Sequence, residues 1–174
     1  MNGCLLIDKP KGITSANCVY QLRKSLGIKK IGHCGTLDPL ATGLLPICIG
    51  EATKFSSFML DLDKTYEVDI RFGIETDTGD IDGEIISKSE NHFNQIELKN
   101  VLRSFEGPQD QIPPMYSAIK NKGKPLYWWA RKGIFLLRQE RNINIYKIEL
   151  LDFRNNLVKL KVSCSKGTYI RSLA

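Results

Sequence analysis

The residues with the most chemical promise lie in Gly32-His33-Cys34-Gly35-Thr36-Leu37-Asp38-Pro39-Leu40-Ala41-Thr42-Gly43, where three glycines surround a single carboxylate. Glycine reaches backbone conformations closed to other residues, so this density points to a loop shaped for close approach to a ligand. The Asp-Pro pair equally suits a plain turn. No Gly-Lys-Ser/Thr and no G-x-G-x-x-G accompany these glycines, which excludes a P-loop or dinucleotide fingerprint. There is no G-x-S-x-G elbow, and only His33 and His92 are available to serve a nucleophile, so a hydrolase triad is not expected. The five cysteines, Cys4, Cys18, Cys34, Cys48 and Cys164, are odd in number, widely spaced and never arranged as C-x-x-C. With the two histidines far apart, neither a disulfide framework nor a metal site is expected, and the thiols read as reduced.

Charge adds a second clue. From Ile119 to Arg171 there are 13 Lys and Arg against three acidic residues, whereas the rest of the chain carries 12 basic and 16 acidic groups. Such asymmetry suits a basic face for a polyanion, most simply nucleic acid, although a solvated basic surface has the same composition. The 174 residues leave room for one compact core, and 42% hydrophobic with 25% charged residues is a globular composition. No apolar run approaches the roughly 20 residues that span a bilayer. The start Met1-Asn2-Gly3-Cys4-Leu5-Leu6-Ile7-Asp8 lacks a basic leader. A soluble cytoplasmic protein with no membrane contact is expected.

The elements that must position Asp38 can be read on either side of it. Gly3 to Ile7 reads as a short buried strand running into the turn Asp8-Lys9-Pro10-Lys11-Gly12. A helix follows, capped by Thr14 or Ser15, with Cys18, Val19, Leu22 and Leu26 as its apolar stripe and Gly27 as terminator. Leu44 to Ile49 reads as a buried strand, and Glu51 to Leu60 as a helix anchored by Phe55, Phe58 and Met59. Lys64 to Gly73 alternates as a strand with Tyr66, Val68, Ile70 and Phe72 on one face, followed by an acidic loop from Glu75 to Glu84. Asn94 caps a helix whose stripe is Ile96, Val101, Leu102 and Phe105, ended by Gly107-Pro108. Residues 112–140 read as an irregular, mobile insertion. Ile143 to Leu151 and Leu157 to Cys164 read as paired strands. The expected fold class is α+β, with a mixed, largely antiparallel central sheet flanked by helices.

The Asp38 segment resembles the signature motif of the TruB-type tRNA pseudouridine synthases. Three further segments resemble that family in the right order: Asp8-Lys9-Pro10-Lys11-Gly12, Lys64-Thr65-Tyr66-Glu67, and Ser165-Lys166-Gly167-Thr168-Tyr169-Ile170-Arg171-Ser172-Leu173. Pro113-Pro114-Met115-Tyr116-Ser117-Ala118 and the basic stretch after it look like the family's thumb insertion, at about 112–141. The resemblance covers essentially the whole chain as one catalytic core. The family core normally continues past the Arg171 segment into further helices and usually a small RNA-binding domain, so the resemblance implies a core that is incomplete at its C-terminus.

The resemblance implies isomerisation of a uridine within RNA: the bond from N1 to the sugar breaks, the base turns, and C5 joins the same sugar carbon. It implies the T-loop uridine of tRNA, position 55 in standard numbering, bound through the T-arm stem-loop by a monomer with no cofactor and no metal. Asp38 is then the catalytic aspartate, and three routes suit a carboxylate beside a developing sugar cation: stabilising it, bonding to C1′, or removing a proton from C2′. Arg171 matches the arginine that pairs with the aspartate, and Tyr66 the tyrosine that stacks on the target base. His33 matches the histidine that fills the place of the everted nucleotide, offsetting lost stacking. Lys9 and Tyr169 match other positions near the family site, and Lys120, Lys124, Arg131 and Lys132 are expected to meet phosphates, while Trp128 and Trp129 read as packing. The rival class is an RNA-binding or RNA-folding module without turnover.

Overall fold

The structure is a computed structural model that describes residues 1–90 and 93–174. His92, weighed above as a ligand candidate, lies outside the described residues. The chain divides into two compact units, Met1–Leu62 and Asp63–Ala174, where length pointed to a single core. All described strand pairings are antiparallel, in keeping with the expected fold class.

In the first unit, β1 (Gly3–Lys9), α1 (Ser15–Leu26), β2 (Ile31–His33) and β3 (Gly43–Ile49) form one layer of helix on a three-stranded sheet of order β1-β3-β2. The Thr14 hydroxyl accepts from the Asn17 amide and Gly27 closes α1 at φ 67°, both as the sequence predicts. Cys18 and Val19 of α1 bury against Ile31, Leu45, Ile47 and Ile49. β1 is not the buried strand expected: Leu6 is 65% exposed, because β1 is an edge strand and the cluster beneath α1 draws on Ile7 alone from it. The helix expected from Glu51 to Leu60 is instead a 3₁₀ segment, Gly50–Phe55, leading into α2 (Ser56–Leu60). The tighter 3₁₀ turn rotates the aromatic positions away from the face an α-helix would bury. Phe55 and Phe58 are therefore 61% and 70% exposed and stack on each other rather than anchoring a core.

The second unit contains β4 (Lys64–Arg71), β5 (Ile74–Thr76), β6 (Ile85–Lys88), α3 (Gln95–Ser104), β7 (Gly107–Gln111), β8 (Lys120–Asn121), β9 (Lys124–Pro125), α4 (Leu126–Ala130), β10 (Arg141–Arg154), β11 (Leu157–Cys164) and α5 (Ile170–Leu173). Its main sheet has the order β4-β11-β10-β7. β11 is central, and its alternating Val158, Leu160, Val162 and Cys164 are all buried to 1% or less, the period-two pattern the sequence shows. α3 carries a capping box between Asn94 and Glu97. Its inward face is Leu98 with Leu102, whereas Ile96 and Val101 are 73% and 53% exposed, so the expected stripe is displaced around the helix. Residues four apart share a face, and 98 with 102 is the pair that meets the sheet.

Three further departures concern short elements. β7 was not expected, because Pro108 argues against a strand; it is tolerated since β7 is an edge strand. The acidic stretch is the tip of the β5–β6 hairpin rather than a free loop. The insertion is largely irregular, as expected, but ordered around short elements: β8 and β9 turn through Lys122 and Gly123, both at positive φ, and Met115, Leu126 and Ala130 make a small core with Trp129 packed on it. No described helix is long and apolar enough to cross a membrane, and among the described residues no His, Cys, Asp or Glu group could hold a metal.

Candidate active site

The Asp38 loop is held from the turn that follows β1. Both neighbours of Asp38 are clamped: the Ser15 hydroxyl accepts from the Leu37 amide at 2.9 Å and donates to the Leu37 carbonyl at 3.2 Å, while the Gly12 amide donates to the Pro39 carbonyl at 2.8 Å. Ser15, weighed above only as a helix cap, is thus a loop clamp. The Ala41 amide donates to the Asp38 carbonyl, closing a turn, and the half-buried Asp38 side chain stands at its start. Gly35 at φ 134° and Gly43 at φ 109° flank this stretch in the region that favours glycine, which is why the loop tolerates no side chain at its two bends. His33 ends β2 opposite Ile47, and its Nδ1 is buried with no hydrogen-bond partner among the described residues.

Lys9 departs from expectation. It is fully buried, and its Nζ donates to the carbonyls of Pro10 at 3.0 Å, Ile13 at 2.8 Å and Pro39 at 3.2 Å. An ammonium has three N–H donors, and all three are directed to the backbone, so Lys9 acts on the Asp38 loop and not on a phosphate. Lys9→Met leaves these carbonyls without a donor, at about 1–3 kcal/mol for each that stays buried. We expect urea unfolding to report a loss of roughly 3 kcal/mol or more, with the salt slope of RNA binding unchanged; a reduced slope would place Lys9 on a phosphate instead.

The second unit carries the other residues singled out in the sequence. Tyr66 on β4 pairs with Val162 on β11 and packs half-buried against the sheet core. The segment after β11 is pinned by the Asn144 amide donating to the Ser165 hydroxyl and by the Ser165 amide donating to the Asn144 carbonyl. Gln111 of β7 then brackets Tyr169: its side-chain oxygen accepts from the Tyr169 amide at 2.8 Å and its nitrogen donates to the Tyr169 carbonyl at 3.1 Å. Tyr169 in turn precedes α5, where Arg171 sits with its side chain only 13% exposed.

Arg171 donates from Nη1 to the Thr78 carbonyl at 2.9 Å and from Nη2 to the Tyr116 carbonyl at 2.7 Å, and Nη1 lies 3.7 Å from Asp80 Oδ2. Asp80 is as buried as its partner and also accepts from the Thr78 hydroxyl and the Asp82 amide. The sequence reading missed Asp80, seeing it only as one acid of the stretch from Glu75 to Glu84. Its signal was the pair Gly79 and Gly83 around it: a Cβ at Gly83 would strike Thr78 and Asp77, and Gly79 turns at φ 70° against Arg171.

Lys120, Lys124, Arg131 and Lys132 are all exposed around the small core of the insertion. Lys132 stands 3.9 Å and Lys124 5.6 Å from the Trp128 ring centre, and Arg131 lies 5.5 Å from that of Tyr127. Trp129 donates from its indole nitrogen to the Asn121 carbonyl and meets Trp128 edge-on. Trp129 thus packs, and Trp128 also holds two cations at the surface.

Residues 23–170 match the family profile described as TruB family pseudouridylate synthase (N terminal domain). A tRNA pseudouridine synthase B of Chromobacterium violaceum is 51% identical over 173 residues, which are 99% of this chain and 56% of that protein. The chain thus spans about half the length of such curated relatives. Among solved structures, a chain of a Cbf5-Nop10-Gar1 complex superimposes with a TM-score of 0.73 at 30% identity, covering 98% of this chain and 42% of that one. A chain of an H/ACA ribonucleoprotein bound to a substrate RNA containing 2'-deoxyuridine gives a TM-score of 0.68 at 26% identity, with 98% and 40% covered.

Proposed function

Since the chain belongs to the TruB family of pseudouridylate synthases, we propose that it is the core of an enzyme that isomerises the T-loop uridine of tRNA, position 55, to pseudouridine. The observation that carries this reading is the clamped Asp38 loop: hydrogen bonds to Leu37 and Pro39 hold the backbone on both sides of one half-buried carboxylate. Such fixing suits a group that must meet a single sugar carbon, since most of the benefit of a positioned catalyst lies in orientation completed before the reaction.

In this reading the target uridine is everted, and His33 fills the space it leaves. Tyr66 stacks on the uracil, which a flat ring can hold while it turns. Asp38 acts at the sugar as the N1 bond breaks, by ion stabilisation, by bonding to C1′ or by taking the C2′ proton. Arg171 keeps the site's anionic charge in place, and Tyr169 lies against the RNA. Bond breaking and bond making conserve the composition of the nucleotide, C5 losing a proton and N1 gaining one, so these side chains suffice without hydride, metal or triphosphate.

The test is release of tritium from C5-labelled uridine in a T-arm stem-loop, because joining C5 to the sugar expels its hydrogen. The full-length protein is expected to release it catalytically. Binding with no release at any protein concentration would leave an RNA-binding module instead.

Lys120, Lys124, Arg131 and Lys132 are proposed to contact phosphates. Reversing Arg131 and Lys132 to Glu is expected to weaken T-arm binding and to lower the slope of log K against log salt by about 1 for each lost contact. An unchanged slope in filter binding would remove the insertion from the interface.

A further inference from the structure

Three of the five cysteines, which sequence spacing left unrelated, stand in a row across the sheet of the first unit. Cys4 on β1 and Cys48 on β3 are direct register partners, with Sγ atoms 3.8 Å apart. Cys34, in the residue after β2, places its Sγ 3.2 Å from that of Cys48. Cys4 and Cys48, as opposed residues of an antiparallel pair, have Cα atoms about 4.5–5.5 Å apart, within the range that disulfides span; Cys34 lies diagonal to Cys48, opposite Pro46, and reaches it through the 3.2 Å contact of their sulfurs. Access differs sharply along the row: Cys4 is exposed, whereas Cys34 and Cys48 are 1% and 0% exposed.

We infer that Cys4, Cys48 and Cys34 form a thiol-oxidation site, in which a hydroperoxide reacts at Cys4 and the resulting disulfide passes inward to Cys34–Cys48. The Cys4 sulfur attacks the O–O bond, becoming a sulfenic acid and releasing an alcohol or water. The Cys48 sulfur then attacks Cys4, forming the first S–S bond and expelling water. Cys34 attacks Cys48, forming the inner disulfide and returning Cys4 to the thiol. Two thiols have lost two electrons and two protons, and one peroxide bond has been reduced.

The hydrogen bond with Cys48, and then burial, hold the Cys4 thiol above its ordinary range, and burial raises that of Cys48, so oxidation of this pair needs a strong two-electron oxidant. The inner pair is the end point because a disulfide between buried sulfurs is shielded from small thiols. Its position matters: Cys34 is the residue by which the chain enters the Asp38 loop, and its amide already donates to Pro46 of β3. The disulfide makes that hydrogen-bonded anchor covalent.

The experiment uses the intact protein, hydrogen peroxide, alkylation of remaining thiols and non-reducing tryptic mass mapping. Cys34 and Cys48 share the tryptic peptide 31–54, while Cys4 lies in 1–11. The expected product is peptide 31–54 lighter by two hydrogens, with Cys4 alkylated and the two hydrogens restored when the digest is treated with dithiothreitol. Cys4→Ser, at an exposed position, is expected to slow this product at least tenfold, and Cys34→Ser to stop at a crosslink between 1–11 and 31–54. The inference is overturned if peroxide gives only sulfinic or sulfonic acid at Cys4, only dimers joined through Cys4, or inner disulfide as fast in Cys4→Ser as in the parent.

Discussion

Replacing Asp38 by asparagine is expected to lower tritium release from the labelled T-arm by about 10⁴-fold or more, the scale seen when a group that reacts with the substrate is removed. The size of the effect follows from what the substitution spares. The bonds that hold the loop run through the backbone of Leu37 and Pro39, to Ser15, Gly12 and Lys9. Asparagine keeps the side-chain shape and leaves those bonds in place, so the loop stays formed while the charge is lost. An amide can neither stabilise a sugar cation as a carboxylate does, nor bond to C1′, nor take up a proton near neutral pH. T-arm affinity, which rests on phosphates and stacking, is expected to change by less than about threefold, under 1 kcal/mol. Release at the parental rate would remove Asp38 from the chemistry, whichever of its three routes is considered.

The second large effect is expected at Arg171. Its guanidinium reaches two carbonyls and a carboxylate at once, from Thr78, Tyr116 and Asp80. Lysine offers a single ammonium without the planar fork, so Arg171→Lys keeps the charge and loses the geometry. We expect kcat to fall by about 10²-fold, the cost of a misplacement near 1 Å in an active site, with KM for the stem-loop little changed. Asp80→Asn is expected to fall in the same direction by about ten- to a hundredfold, because it weakens the orientation of the same guanidinium. Residues that act as one unit are not additive, so the double variant should be little worse than Arg171→Lys alone. A double variant at the product of the two single effects would show that Asp80 acts independently of Arg171.

The contrast between Lys9 and Asp80 shows how the candidate site was only half legible. The motif that holds Lys9 is local and legible, but whether its ammonium faces RNA or backbone depends on where Pro39, thirty positions later, comes to rest. Asp80 was visible as a residue and invisible as a partner, since 91 positions separate it from Arg171. The same holds for the aromatic pairs. Phe55 and Phe58 read as anchors by helical spacing, and one 3₁₀ turn was enough to send both outward.

Elements whose information is carried within a few residues were readable from the chain alone. β11 declares its buried face by alternation, α1 declares both ends through Thr14 and Gly27, and the glycines around Asp38 declare a shaped loop, because period, capping and backbone freedom are properties of neighbours. What only the tertiary structure decided are the pairings across distance: Lys9 beneath the Asp38 loop, Arg171 on Asp80, and Cys4, Cys48 and Cys34 in one row. Each depends on the register between segments far apart in sequence. That register is set by the burial of whole faces, which no single residue encodes.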